Sequence, residues 1–188
     1  MIIADKLKKS NRAEYLLYMW QVEDLIRAYG LDAERIAHEY VSRFKLPAHQ
    51  RKATEQWYAD LCEMMRSEGK ADHGHLQICQ NILQDLSELH TQLLSSPKFP
   101  YYRDMYYKVL PYIVELRAKQ GLTQKDKSSS NAELQTCFNV LYGIMMLRLQ
   151  HKPVSPETEK AAQDISTLLG QLSDYYFKNQ KRPIDFSE

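Results

Sequence analysis

Glycine, proline and cysteine are all scarce in this chain, and each shortage excludes something. The six glycines and seven prolines fall mostly where helices should end. No stretch alternates apolar and polar residues with β-branched side chains over the length of a strand. The three cysteines, Cys62, Cys79 and Cys137, are odd in number, far apart and without a C-x-x-C pair. That argues against a disulfide framework and against a zinc knuckle. Reduced thiols in a cytoplasmic protein are the simplest expectation.

Charge of one sign is missing too. Lys and Arg number 25 against 24 Asp and Glu, a formal net charge of +1. Such a chain has no whole-protein field to draw nucleic acid or anionic lipid. Basic clusters at Lys6, Lys8, Lys9 and Arg12, at Arg51 and Lys52, and at Lys178, Lys181 and Arg182 read as solvated helix ends. No helix-turn-helix signature or aromatic–basic interleaving accompanies them. Long apolar runs are absent: no window approaches the roughly 18 residues of a membrane span. The opening MIIADKLKKSNR places only Ile2, Ile3 and Ala4 between the initiator and the first charge, so no signal-peptide core is expected there.

Several catalytic motifs are also lacking. Neither G-x-G-x-x-G nor G-x-x-x-x-G-K-[ST] occurs, so the common phosphate-binding loops are out. There is no G-x-S-x-G elbow. A carboxylate-bridged dimetal bundle needs Glu-x-x-His on two helices, and no such spacing occurs; Asp85, Glu88 and His90 come near it with the wrong intervals. His73 and His75 flank Gly74 in a turn, but a zinc site takes three or four protein ligands and no partner motif is visible. They read as part of a solvated turn. No metal and no cofactor is implied.

What the chain has is helical periodicity almost everywhere. Ser10 or Asn11 can cap a helix that ends at Gly30, with Tyr15, Met19, Val22, Ile26 and Tyr29 as its stripe. Asp32 can cap a second helix, roughly 33–45, stopped by Pro47. A third, from about 48 to Gly69, aligns Ala53, Trp57, Leu61 and Met64 or Met65. A fourth, about 75–95, aligns Cys79, Leu83, Leu86, His90 and Leu93. Pro100 opens a fifth, running to about Lys119 and closed by Gly121, with Tyr102, Tyr106, Val109, Ile113 and Leu116 in line. Pro111 inside it predicts a kink or a break. The LTQKDKSSS stretch is polar. Ser130 and Glu133 have capping-box spacing for a sixth helix to about His151, with Leu134, Phe138, Leu141 and Met145 inward. Ser155 before Pro156 starts a seventh, carrying Ala161, Ile165, Leu168, Leu172 and Tyr175. The expectation is an all-α protein, an antiparallel bundle of six or seven helices in a single domain over 1–188, with 1–9 and 179–188 as loosely ordered ends.

The first of these helices holds the main puzzle. AEYLLYMWQVEDLIRAY is rich in apolar residues, yet contains Glu23, Asp24 and Arg27. At 100° per residue, Leu25, Tyr18, Tyr29, Val22, Tyr15, Ile26 and Met19 fill one arc. Glu23 stands at its edge, followed by Leu16, Arg27, Trp20 and Asp24. The plain reading is a Glu23–Arg27 pair one turn apart at the rim, with Asp24 in water. The functional reading is a ligand-binding pocket lined by Trp20, Glu23, Arg27 and His90, the histidine on the apolar stripe of the fourth helix. His90 also reads as a core residue bonded to a neighbouring helix.

MIIA followed by AEYLLYMWQVEDLIRAYG resembles the N-terminal signature of a bacterial family of domains of unknown function, whose members have a similar length. The resemblance implies a match over the whole chain. It implies no activity and no site residues, because none is assigned in that family. The leading expectation is therefore a cytoplasmic helical interaction module without chemistry of its own, its partner a protein and plausibly a second copy of itself. The wide apolar arcs and the 13 tyrosines suit a helix with more than one neighbour. The alternative is a small-molecule-binding or enzymatic bundle at the Trp20, Glu23, Arg27 and His90 pocket.

Overall fold

The computed structural model describes residues 2–119 and 130–186. The expected stop at Gly121, the LTQKDKSSS stretch as far as residue 129 and the side chain of Ser130 lie outside them. Among the described residues there are eight α-helices, one 3₁₀ turn and no strand. The helices are α1 (Ile2–Ser10), α2 (Arg12–Ala28), α3 (Ala33–Glu39), α4 (Ala48–Ser67), α5 (Gln77–Ser95), α6 (Pro100–Lys119), α7 (Ser130–Leu149) and α8 (Pro156–Lys181). The count exceeds the expected six or seven because α1 forms where a loose end was expected. It buries Ala4.

The chain forms two compact units. The first contains α1, α2 from Glu14, α3, the 3₁₀ turn Val41–Arg43, α4 and the start of α5. Asn11–Ala13, the remainder of α5, α6, α7 and α8 belong to the second.

In the first unit the punctuation is as the sequence suggests. Gly30 takes φ +65° just past the end of α2, a conformation that costs glycine little. Asp32 caps α3, accepting from the Arg35 N–H at 2.9 Å. This helix stops at Glu39, earlier than expected, and the chain tightens into the 3₁₀ turn. Tyr40, at that break, packs edge-on against both Phe44 and Tyr58. The buried side of α4 is Thr54, Tyr58, Leu61, Cys62 and Met65. That is a correction by about one residue, since Ala53 is exposed and Trp57 half-exposed. Two polar residues turn inward because their hydroxyls are satisfied there: Thr54 Oγ1 donates to the Gln50 carbonyl at 2.8 Å, and Tyr58 shares hydrogen bonds with Tyr18 and Tyr40. A buried hydroxyl with a partner costs little.

In the second unit α6 packs on α7 and α8, and α7 on α8. Helix α6 runs through Pro111 without a break. Tyr102, Val109 and Ile113 form its buried line, flanked by half-buried Tyr106 and Leu116. Ser155 caps α8, accepting from the Thr158 N–H at 3.2 Å, with Pro156 at the first helical position. Ala161, Ala162, Ile165, Leu168, Leu169 and Leu172 bury the long apolar side of α8. The C-terminal segment is held, too. Asn179 Oδ1 accepts from the Ile184 N–H at 2.8 Å, Lys98 pairs with Asp185 at 3.1 Å, and Phe186 packs on Phe99. Arg12 is fastened rather than part of a free basic patch. Its backbone N–H donates to Ser173 Oγ at 2.7 Å, and its guanidinium donates to the Tyr176 hydroxyl.

Candidate functional site

Helix α2 does not sit as its apolar arc suggests. Its buried residues are Ala13, Tyr15, Leu16, Met19, Trp20, Val22, Glu23 and Ile26. On the helical wheel this places Glu23 well inside the buried side rather than at its edge. Glu23 is completely buried. The reason lies in the turn between α4 and α5, which supplies the donors a buried carboxylate requires.

Glu23 Oε1 accepts from the Leu76 N–H at 3.0 Å, just before the first turn of α5. Its Oε2 lies 2.6 Å from His75 Nδ1. A carboxylate at a helix start also meets the positive end of that helix's dipole. The indole of Trp20 stacks on the His75 ring, with centroids 4.1 Å apart and planes 10° from parallel. Cys79, in the first turn of α5, hydrogen-bonds to Glu23. Burial first, and then the Glu23 charge, push its thiol well above the ordinary cysteine range. It is a protonated donor and a poor nucleophile.

Arg27 completes the arrangement from the next turn of α2. Its Nε donates to the Lys70 carbonyl at 3.2 Å and its Nη2 to the Gly74 carbonyl. Its Nη1 pairs with Asp24 at 2.7 Å. The expected Glu23–Arg27 pair is therefore replaced. Arg27 takes Asp24, three residues back, while Glu23 takes His75 and Leu76. Gly69 and Gly74 have φ of +65° and +81°, so the turn they bracket depends on conformations most residues resist.

Of the sequence candidates, Trp20, Glu23 and Arg27 come together in the first unit, and His90 lies in the second. His90 is fully buried on α5, with Nδ1 2.5 Å from the Tyr102 hydroxyl and its ring edge-on to Tyr102 and Tyr106. Its Nε2 has no hydrogen-bond partner. Burial lowers its pKa to about 4, so it is neutral at pH 7. Near it, Tyr106 donates to Glu133 Oε2 at 2.9 Å, and the Arg117 guanidinium stands 4.0 Å from Glu133 Oε1.

The residue that sequence reasoning missed is His75. Its place beside Gly74 marked it as a solvated turn, and nothing local signals that the turn folds back on α2. His75 is oriented by Glu23 through Nδ1, with 30% of its side chain exposed. A nucleophile is not at hand, since Cys79 is held protonated. Among the described residues no group of three or more His, Cys, Asp or Glu is placed to hold a metal ion. The first unit also has an open depression of about 490 Å³ lined by Leu46, Ala48, Arg51, Lys52 and Glu55, at the start of α4. No described helix is long and apolar enough to cross a membrane.

The fold and this corner define an all-α protein in which a buried carboxylate and an arginine secure an interhelical turn. The chain belongs to the family described as a domain of unknown function, DUF4924, whose model matches residues 1–182. That agrees with the resemblance carried by its N-terminal segment. No curated protein and no solved structure matches the chain.

Proposed function

We propose that the chain is a helical interaction module without catalytic chemistry of its own, and that it offers the outward side of α6 to another protein. One observation carries this reading. Tyr107, Pro111, Val114 and Ala118 are all exposed, at the alternating spacing of four and three by which helices pack on one another. Tyr107 is 58% and Val114 59% exposed. Single exposed apolar residues are ordinary, whereas a seam of them is characteristic of an interaction surface. Free, buried cysteines suit a reducing cytoplasm, where we place the protein. The pocket reading has less behind it, because both oxygens of Glu23 and the N–H groups of Arg27 are already engaged by the turn.

The test is a photo-crosslinking residue at position 114 in the intact chain inside producing cells, with the exposed Glu63 position as control. Adducts at 114 that disappear when Tyr107→Glu is added, with none at 63, are expected. An absence of adducts at 114 would overturn the reading.

A further inference from the structure

Building on the interaction reading just given, we infer that the partner of the α6 seam is a second copy of this chain, docked antiparallel. The spacing of the seam is four, three, four, which reads the same in both directions. Reversing one α6 against another therefore brings Tyr107 opposite Ala118 of the second copy, and Pro111 opposite Val114. A large side chain faces a small one at each end, and two of middling size meet at the centre. A parallel pair would instead stack Tyr107 on itself and leave a hole between the two Ala118 residues, and well-packed interfaces avoid such voids.

The charges select the same arrangement. Exposed Asp104, Lys108 and Glu115 all lie along one edge of the seam on the helical wheel. Two-fold symmetry makes an isologous contact, so the same edge of each copy meets. In the antiparallel register Lys108 lies level with a point two residues from Glu115 of the second copy. That is an axial offset of about 3 Å at 1.5 Å per residue, within reach of both side chains. The symmetry repeats the contact, giving two Lys108–Glu115 pairs. Among the described residues the ion pair of Lys108 within its own chain is a long one, 3.8 Å to Asp164, with 71% of its side chain exposed, so it is available at small cost. A parallel pair would place this edge against Arg103 and Leu110, where Lys108 finds no anion.

A contact of about three helical turns belongs to the small, transient class of interfaces. The expected dimer is concentration-dependent, with dissociation in the micromolar to millimolar range. Sedimentation equilibrium of the purified full chain, from about 10 µM to 1 mM at low salt, should show its mass rising from one subunit toward two. Val114→Glu should hold it at one subunit across that range. Lys108→Glu alone should weaken the dimer about tenfold or more, and Lys108→Glu with Glu115→Lys should restore it. Circular dichroism checks that each variant is folded, and all three positions are exposed, so folding should survive. A monomer throughout, or a double exchange that fails to rescue, would overturn self-docking. Crosslinking at 114 to a different protein by a monomeric chain would overturn this inference while leaving the interaction module standing. Loss of crosslinking altogether would remove both.

Discussion

Acidification should destabilise the protein through His90, and the size of the effect follows from its burial. Among the described residues the imidazole's one hydrogen-bond partner is the Tyr102 hydroxyl, and the ring is fully buried, so desolvation disfavours the charged form. Its pKa falls to about 4 in the folded chain, against an ordinary 6.5. Between these values the unfolded chain binds a proton that the folded chain refuses, so stability must fall as pH falls. Above about pH 6.5 both states are neutral at this residue and the effect vanishes. Below about pH 4 both are charged and the loss stops growing. At 1.36 kcal/mol for each pH unit between the two values, the full loss is about 3 kcal/mol. Urea unfolding at half-unit intervals from pH 7.5 to pH 4 would measure it. Carboxylates titrate in the lower part of this window, so the quantity to compare is the difference between the wild type and His90→Leu. Leucine has nearly the volume of histidine and no proton to bind. It leaves the Tyr102 hydroxyl without its partner, a pH-independent cost of about 1–3 kcal/mol. The variant should therefore be less stable at pH 7.5 and nearly level with the wild type by pH 4. Parallel pH curves would refute the assignment of a buried neutral imidazole.

Glu23→Gln should cost about 1–2 kcal/mol, because the amide can still accept from the Leu76 N–H while His75 shifts its proton to Nε2, and only the charge assistance is lost. Glu23→Ala should cost about 3–5 kcal/mol, since it opens a cavity and strands both donors; thermal melts give the order, and equal losses would show that the charge itself is required. Hydrogen exchange at the Leu76 amide should accelerate in both variants, and more in the alanine. The three thiols should react with a disulfide reagent at pH 8 only as fast as the chain opens, because burial pushes all of them up, Cys137 to about 12. Rapid labelling of Cys79 in the native state would contradict its protonated contact with Glu23.

Most helix ends were legible, α1 and the early stop of α3 excepted, because capping and termination are local events. Asp32, Ser155 and Gly30 each act on backbone groups within a turn of themselves. Which side of a helix is buried was legible only where apolar identity alone decides it. On α5 and α8 it does, and the expected stripes are the buried ones. On α2 it does not, because the helix is apolar over more than half its circumference and several orientations bury a similar area. The choice then passes to the polar groups. The orientation adopted is the one in which Glu23 finds two fixed donors, both belonging to a turn some fifty residues further along the chain. On α4, likewise, Thr54 and Tyr58 enter the core because each has a partner.

The same reasoning separates the two kinds of charged residue in this protein. A charge that looks misplaced in an apolar segment invites a functional explanation. Glu23 and Arg27 have a nearer one: they are the hydrogen-bonding partners of a turn bracketed by two left-handed glycines. A turn of that kind carries backbone groups its own residues do not satisfy, and α2 supplies the complement to the Lys70 and Gly74 carbonyls and the Leu76 N–H. Lys108 and Glu115 are the reverse case. Both are exposed along one edge of the apolar seam of α6. That charged edge, beside a seam that matches its own reverse, is the feature that a second α6 would use.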